Sequence, residues 1–142
     1  MKWKIISVGK PGFPWVRDGV GMYLSRLKAF APVENMVLKK NDPALFLRAA
    51  GDAVVIALDE EGASEDTAGF ARRVARWEME RVKEVAVCIG GADGLFPEVR
   101  SRADLCLNLG RFTLMHELAL LVWMEQLYRV YTLKEDHPYH RA

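Results

Sequence analysis

This chain has no apolar run long enough to cross a bilayer. Its longest, Leu118 to Met124, is far short of the ~20 residues that a spanning helix needs. Charge of one sign is also missing, since the formal net charge is only +1. Binding to nucleic acid through overall basicity is therefore excluded, and any RNA contact has to use a local patch. Lys39-Lys40, Arg72-Arg73-Arg76 and Arg100-Arg102 are the candidates, though interleaved acids make each read as an ordinary solvated face. There are only 2 cysteines, too few for a disulfide framework. Cys88 lies inside Val85-Ala86-Val87-Cys88-Ile89 and Cys106 alternates with Leu105 and Leu107, so both read as small buried hydrophobes of a reducing compartment.

Several familiar catalytic signatures are absent too. Gly9-Lys10-Pro11-Gly12 follows the first strand without supplying a G-x-G-x-x-G fingerprint, and there is no G-x-x-x-x-G-K-[ST] phosphate loop. No G-x-S-x-G supports a serine nucleophile. His116-Glu117 begins like a zinc-protease motif, but Leu120 stands where the second histidine belongs. His137 and His140 lack a third ligand set, so no metal is expected. Lys2 and Lys4 alternate with Trp3 and Ile5 as in a strand, not as in a targeting segment, and the expected location is cytoplasmic.

What the chain does have is strand-helix alternation over 142 residues, half of them apolar. Trp3–Val8, Val33–Leu38, Ala53–Leu58, Val85–Ile89 and Asp104–Leu109 read as strands. Between them, Val16, Val20, Tyr23, Leu24 and Leu27 share one helical face that opens after Pro14. Asp42-Pro43 caps a short helix that stops at Gly51, and Ser64 is positioned to cap a third helix with Phe70, Val74 and Trp77 inward. Pro97–Arg102 suits a single helical turn. The pattern predicts one α/β domain over residues 1–142, with a mainly parallel sheet flanked by helices.

The last helix, expected from about Leu114 to Tyr131, is apolar most of the way round. A helix lying on one sheet needs a single apolar stripe. A second copy of the chain would cover the other side in a two-fold homodimer; cover by the N-terminal helix is the competing explanation.

Ligands of open parallel sheets bind beyond the carboxyl ends of the strands. Three segments leave such ends here: Leu58–Gly62, Gly90–Gly94 and Leu109–Leu114. The chain then closes on His137-Pro138-Tyr139-His140-Arg141, which gathers two imidazoles, a phenol and a guanidinium into five positions. Such groups move protons, stack on flat rings and hold anions.

Ile89-Gly90-Gly91…Gly94, Thr113-Leu114…His116-Glu117-Leu118-Ala119, Glu125-Gln126-Leu127-Tyr128-Arg129 and the terminal pentapeptide resemble the ribosomal RNA large subunit methyltransferase H family, the minimal SPOUT-class enzymes. The resemblance spans the whole chain. It implies a SPOUT-type fold with a C-terminal trefoil knot, a homodimer, and S-adenosyl-L-methionine as cofactor. It also implies methylation of N3 of a pseudouridine in large-subunit (23S) ribosomal RNA of the assembled ribosome. By position, Leu58, Gly90, Leu109, Gly110, Arg111, Phe112, Thr113 and Leu114 would bind the cofactor, while Tyr139, His140, Arg141 and Arg129 would form the catalytic group. Ala92-Asp93, Met115 and Leu120 depart from the family pattern. Two other activities fit the same chain: a SPOUT methyltransferase acting on transfer RNA, and a catalytically silent RNA- or ribosome-binding module.

Overall fold

The computed structural model describes residues 1–141. Five parallel strands, Val33–Leu38, Lys2–Val8, Glu84–Cys88, Val54–Ala63 and Leu105–Leu107 in that spatial order, form one sheet. In chain order the elements are β1 (Lys2–Val8), α1 (Pro14–Leu27), β2 (Val33–Leu38), α2 (Pro43–Ala50) and β3 (Val54–Ala63). They continue with α3 (Thr67–Met79), β4 (Glu84–Cys88), α4 (Pro97–Arg102), β5 (Leu105–Leu107) and α5 (His116–Lys134).

Side chains alternate across the strands, so the apolar runs feed two cores. Trp3, Ile5, Ile56, Val85 and Val87 face α1, α3 and α5, where they meet Val16, Val20, Phe70, Val74, Trp123 and Leu127. Ile6, Val55, Ala57, Ala86 and Cys88 face α2 and α4 and pack on Phe46, Ala50 and Val99. Burial on both sides explains why the central strands read as continuous apolar runs. The first core is the aromatic one. Trp3 packs at ring-centroid distances of 6.4 Å from both Phe70 and Trp123, and its indole N–H donates to the Tyr131 hydroxyl at 2.7 Å.

Four expectations need correction. Asp59–Gly62 is not a loop: β3 runs on through Ala63, which pairs with Leu107 beyond an irregularity after Leu58. Gly62 permits this path, because a Cβ there would lie 2.7 Å from the Cys106 carbonyl carbon and the Leu107 nitrogen. Asp66, not Ser64, caps α3, accepting from the Gly69 N–H at 2.7 Å, while the Ser64 hydroxyl pairs with Asn108. The last strand is trimmed to Leu105–Leu107, since Asp104 spends its carboxylate and its own N–H on the backbone of Val55. Finally, α5 begins at His116, leaving Leu114 and Met115 in the loop before it.

The competing cover for α5 is present. α1 lies along one flank, so close that a Cβ on Gly19 would sit 2.7 Å from a Leu121 methyl. α3 lies along the other, with Phe70 edge-on to Trp123 at 5.3 Å and Thr67 bonded to Gln126 at 2.8 Å. Leu118, Leu121 and Val122 remain only partly covered.

Candidate active site

A cleft of about 610 Å³ opens beyond the carboxyl ends of β3, β4 and β5. Its floor is the glycine turn after β4. Gly90 is buried, and a Cβ placed on it would lie 2.4 Å from the Gly94 carbonyl carbon and 2.7 Å from the Leu95 nitrogen, so the turn closes on itself over a bare Cα. Gly94 takes φ +80°, a left-handed conformation that glycine adopts without a Cβ penalty. Asn41, in the connection between β2 and α2, braces this turn by donating to the Gly94 carbonyl at 2.8 Å.

Leu58, Ile89, Leu109, Leu114 and Ala119 supply apolar wall. On the β3 side the rim is acidic, with Asp59, Glu60 and Glu61. Asp59 is offset by Arg100 at 3.6 Å, and Glu60 accepts from the Thr113 hydroxyl at 2.9 Å, tying the β3 extension to the loop before α5. Of the expected cofactor residues, Leu58, Gly90, Leu109, Gly110, Phe112, Thr113 and Leu114 line this one cleft. Arg111 shares their loop and is exposed, but it is not among the lining residues. The cleft also takes in Asp59, Glu60 and Glu61, which lie inside the expected ligand-facing segment Leu58–Gly62, and His116, which is not among the expected cofactor residues; their lining role depends on the β3 extension and on where α5 begins.

The four expected catalytic residues lie elsewhere. Glu125 Oε1 accepts from Arg129 Nη2 at 2.5 Å, from Arg129 Nε at 3.0 Å and from the Tyr139 hydroxyl at 3.0 Å. The Tyr139 ring lies under the Arg129 guanidinium, 4.9 Å from its centre, and edge-on to Tyr128 at 4.7 Å. Its hydroxyl also meets that of Tyr23 at 3.2 Å. His140 Nδ1 stands 3.3 Å from Arg129 Nη1. Arg141 is exposed. Burial first, then the bonds to Tyr23 and Glu125, push the Tyr139 phenol well above its ordinary range, so it stays protonated and donates. The hydrogen bond to Glu125 holds the Arg129 guanidinium above its ordinary value.

The tail thus folds back on its own α5 and α1. Along α5, Arg129 is ten positions past Ala119 of the cleft, roughly 15 Å at the rise of a helix. The sequence signal brought cleft and tail together as one enzyme; a single protomer in this conformation keeps them apart.

Among known proteins, the family model described as "Predicted SPOUT methyltransferase" matches residues 1–140. The chain belongs to the SPOUT methyltransferase family. A ribosomal RNA large subunit methyltransferase H of Thermus thermophilus is 45% identical over 141 residues, covering 99% of each chain. Proteins of the same name from Syntrophotalea carbinolica and Anaeromyxobacter dehalogenans are 37% and 39% identical over 154 residues. These relatives place the chain within the large subunit methyltransferase H branch of that family. A probable methylase family protein from Haemophilus influenzae shares the fold, with TM-score 0.62 at 12% identity over 99% of this chain and 70% of that one. As a SPOUT methyltransferase, the protein needs a methyl donor. Among the described residues no helix is long and apolar enough to cross a membrane, and no cluster of three metal-ligating side chains occurs.

Proposed function

We propose that this SPOUT methyltransferase uses S-adenosyl-L-methionine to methylate N3 of a pseudouridine in large-subunit ribosomal RNA, acting in the cytoplasm on the assembled ribosome. In this reading the chain is one domain, works as a homodimer and threads its C-terminal part into the family's trefoil knot. The observation that carries it is the cleft, where seven of the eight expected cofactor residues from three separate segments converge.

The residues fit the donor. A volume of about 610 Å³ lies within the range of small-molecule pockets. The leucine walls suit a flat purine, the tight Gly90–Gly94 turn brings backbone polar groups to the surface, and the β3 carboxylates suit a cation. When bound, S-adenosylmethionine supplies an electrophilic methyl group on a sulfonium. The chain's own residues orient the nucleophile. For N3 to attack, its imide proton must pass to an acceptor, either water or His140 released from Arg129, and the Arg129 guanidinium, once beside the base, would stabilise the developing anion. Arg129 is held rigid for this by Glu125, and exposed Arg141 is free to hold a phosphate. In the folded-back tail, His140 Nδ1 accepts from Arg129, which leaves the ring proton on Nε2 of the neutral imidazole. Here the His140 Nδ1 lone pair is taken up by Arg129; to accept the N3 proton there, it must first leave Arg129.

Incubating the protein with methyl-labelled donor and separate fractions of assembled ribosomes, free subunits and transfer RNA tests the reading. Label is expected in large-subunit RNA of the assembled ribosome. Label in transfer RNA alone, or in no fraction, overturns it.

A further inference from the structure

Lys39-Lys40, a sequence patch with no role in the cleft, gains one from its place in the fold. The Gly9 N–H donates to the Leu38 carbonyl at 2.8 Å, which sets the ends of β1 and β2 side by side. Lys10 follows the first and Lys39-Lys40 the second, and all three are exposed. Among the described residues no carboxylate stands within ion-pair distance of any of them. The nearest acid in sequence, Asp42, is engaged in capping α2 through the Ala44 N–H at 2.8 Å.

This basic ledge joins the cleft at two points. Asn41, directly after Lys40, holds the Gly94 carbonyl, and its Oδ1 is buried without a partner. On the other side the loop after Lys10 is fastened to the first turn of α5 by the Gly12 N–H, which donates to Glu117 beside the cleft-lining His116. That loop leads into Phe13 and Trp15, whose rings lie 5.5 Å apart at 33° with 46% and 53% of their surface exposed. A tilted aromatic pair exposed to water beside three unpaired lysines is the chemistry of a nucleic-acid strand: phosphates on the ammonium groups, an unstacked base on the rings. The opposite rim, on the β3 side, carries Asp59, Glu60 and Glu61 and would repel a phosphate backbone.

We propose that the ledge of Lys10, Lys39 and Lys40 with Phe13 and Trp15 docks the RNA strand carrying the target base, leaving the acidic β3 rim to the cationic donor. This rests on the ribosomal RNA reading above. The test uses methyl transfer to purified ribosomes at several salt concentrations, for the wild type, for the Lys10→Glu/Lys39→Glu/Lys40→Glu variant and for Trp15→Ala. Calorimetry with S-adenosylhomocysteine monitors the cleft and light scattering the oligomeric state.

The triple variant is expected to raise KM for ribosomes at least about tenfold. It should also flatten the dependence of log affinity on log salt by about 2–3, since each of the three lost phosphate contacts removes ~0.7–0.9. Trp15→Ala should raise KM with the salt slope unchanged, and neither should alter binding of S-adenosylhomocysteine. Should the charge-reversed chain not fold, Lys→Gln at the same three positions carries the same test. An active wild type with variants of unchanged KM and slope refutes the ledge alone. A wild type that methylates no ribosomal RNA takes down ledge and function together. A triple variant whose only change is its oligomeric mass assigns the face to a second copy of the chain and also refutes the proposal.

Discussion

Gly90 and Gly94 stand four positions apart in one turn and are glycine for different reasons. At Gly90 the obstacle is space, with backbone inside 2.7 Å of any Cβ; at Gly94 it is φ +80°, with open space around it. Gly90→Ala is therefore expected to cost about 1–3 kcal/mol, as overpacking does, and to abolish S-adenosylhomocysteine binding, because the turn itself must move. Gly94→Ala is expected to cost about 1 kcal/mol and to weaken binding less. Melting curves beside calorimetry separate them, and equal effects on binding would contradict this geometry. Burial also sets an alkaline limit. The Cys88 thiol is pushed up from 9.0 to about 12, and the Tyr131 phenol from 10.0 to about 12. As pH rises past 9, the unfolded chain releases these protons while the folded chain keeps them, so stability falls progressively towards pH 12. Urea titrations from pH 8 upward should show a declining midpoint; a rising one would contradict the burial.

Helix ends differ in the same systematic way. α2 and α3 are capped by Asp42 and Asp66, whereas α1, α4 and α5 start after Phe13, Phe96 and Met115 with no side-chain cap. Met115 is 42% exposed and already has the extended backbone of a cap residue, φ −62° and ψ 148°. Met115→Ser is expected to stabilise the fold by about 1 kcal/mol, read as a raised melting temperature, while altering the cleft wall that Met115 lines. The body of α5 behaves oppositely. Leu127 is fully buried between the sheet and the flanking helices, and Leu127→Ala is expected to cost about 2–5 kcal/mol in chemical denaturation.

At the scale of the molecule, cleft and tail lie on one protomer but apart, and a dimer can reunite them. Leu118, Leu121 and Val122, only partly covered by α1 and α3, remain available to a partner. A mixed dimer checks the arrangement: one chain with Ala92→Trp filling the cleft and an intact tail, the other with an intact cleft but ending before His137. Each homodimer is expected to be inactive, and the verified mixed dimer to regain up to about half of wild-type activity. A silent mixed dimer would place the whole site within one chain.

The periodicities alone determined the two-sided parallel sheet, because alternation along a strand and the 3.6-residue helical repeat are local consequences of backbone geometry. They also located Pro14, Asp42 and Gly51 at helix ends, since caps act within a turn. The glycine turn and the Leu109–Leu114 loop were legible as cleft-lining segments because strand ends in such sheets open onto a crevice. Tertiary structure decided the rest. Only the approach of Gly62 to the Cys106–Leu107 backbone turned an expected loop into strand and its carboxylates into cleft rim. Only packing chose between Ser64 and Asp66 as the cap, by giving Ser64 a partner in Asn108. The seat of the tail on Glu125 and Tyr23 joins residues up to 116 positions apart. No local pattern encodes contacts at that range; the folded chain makes them by closing α1 and α5 on the same face of the sheet.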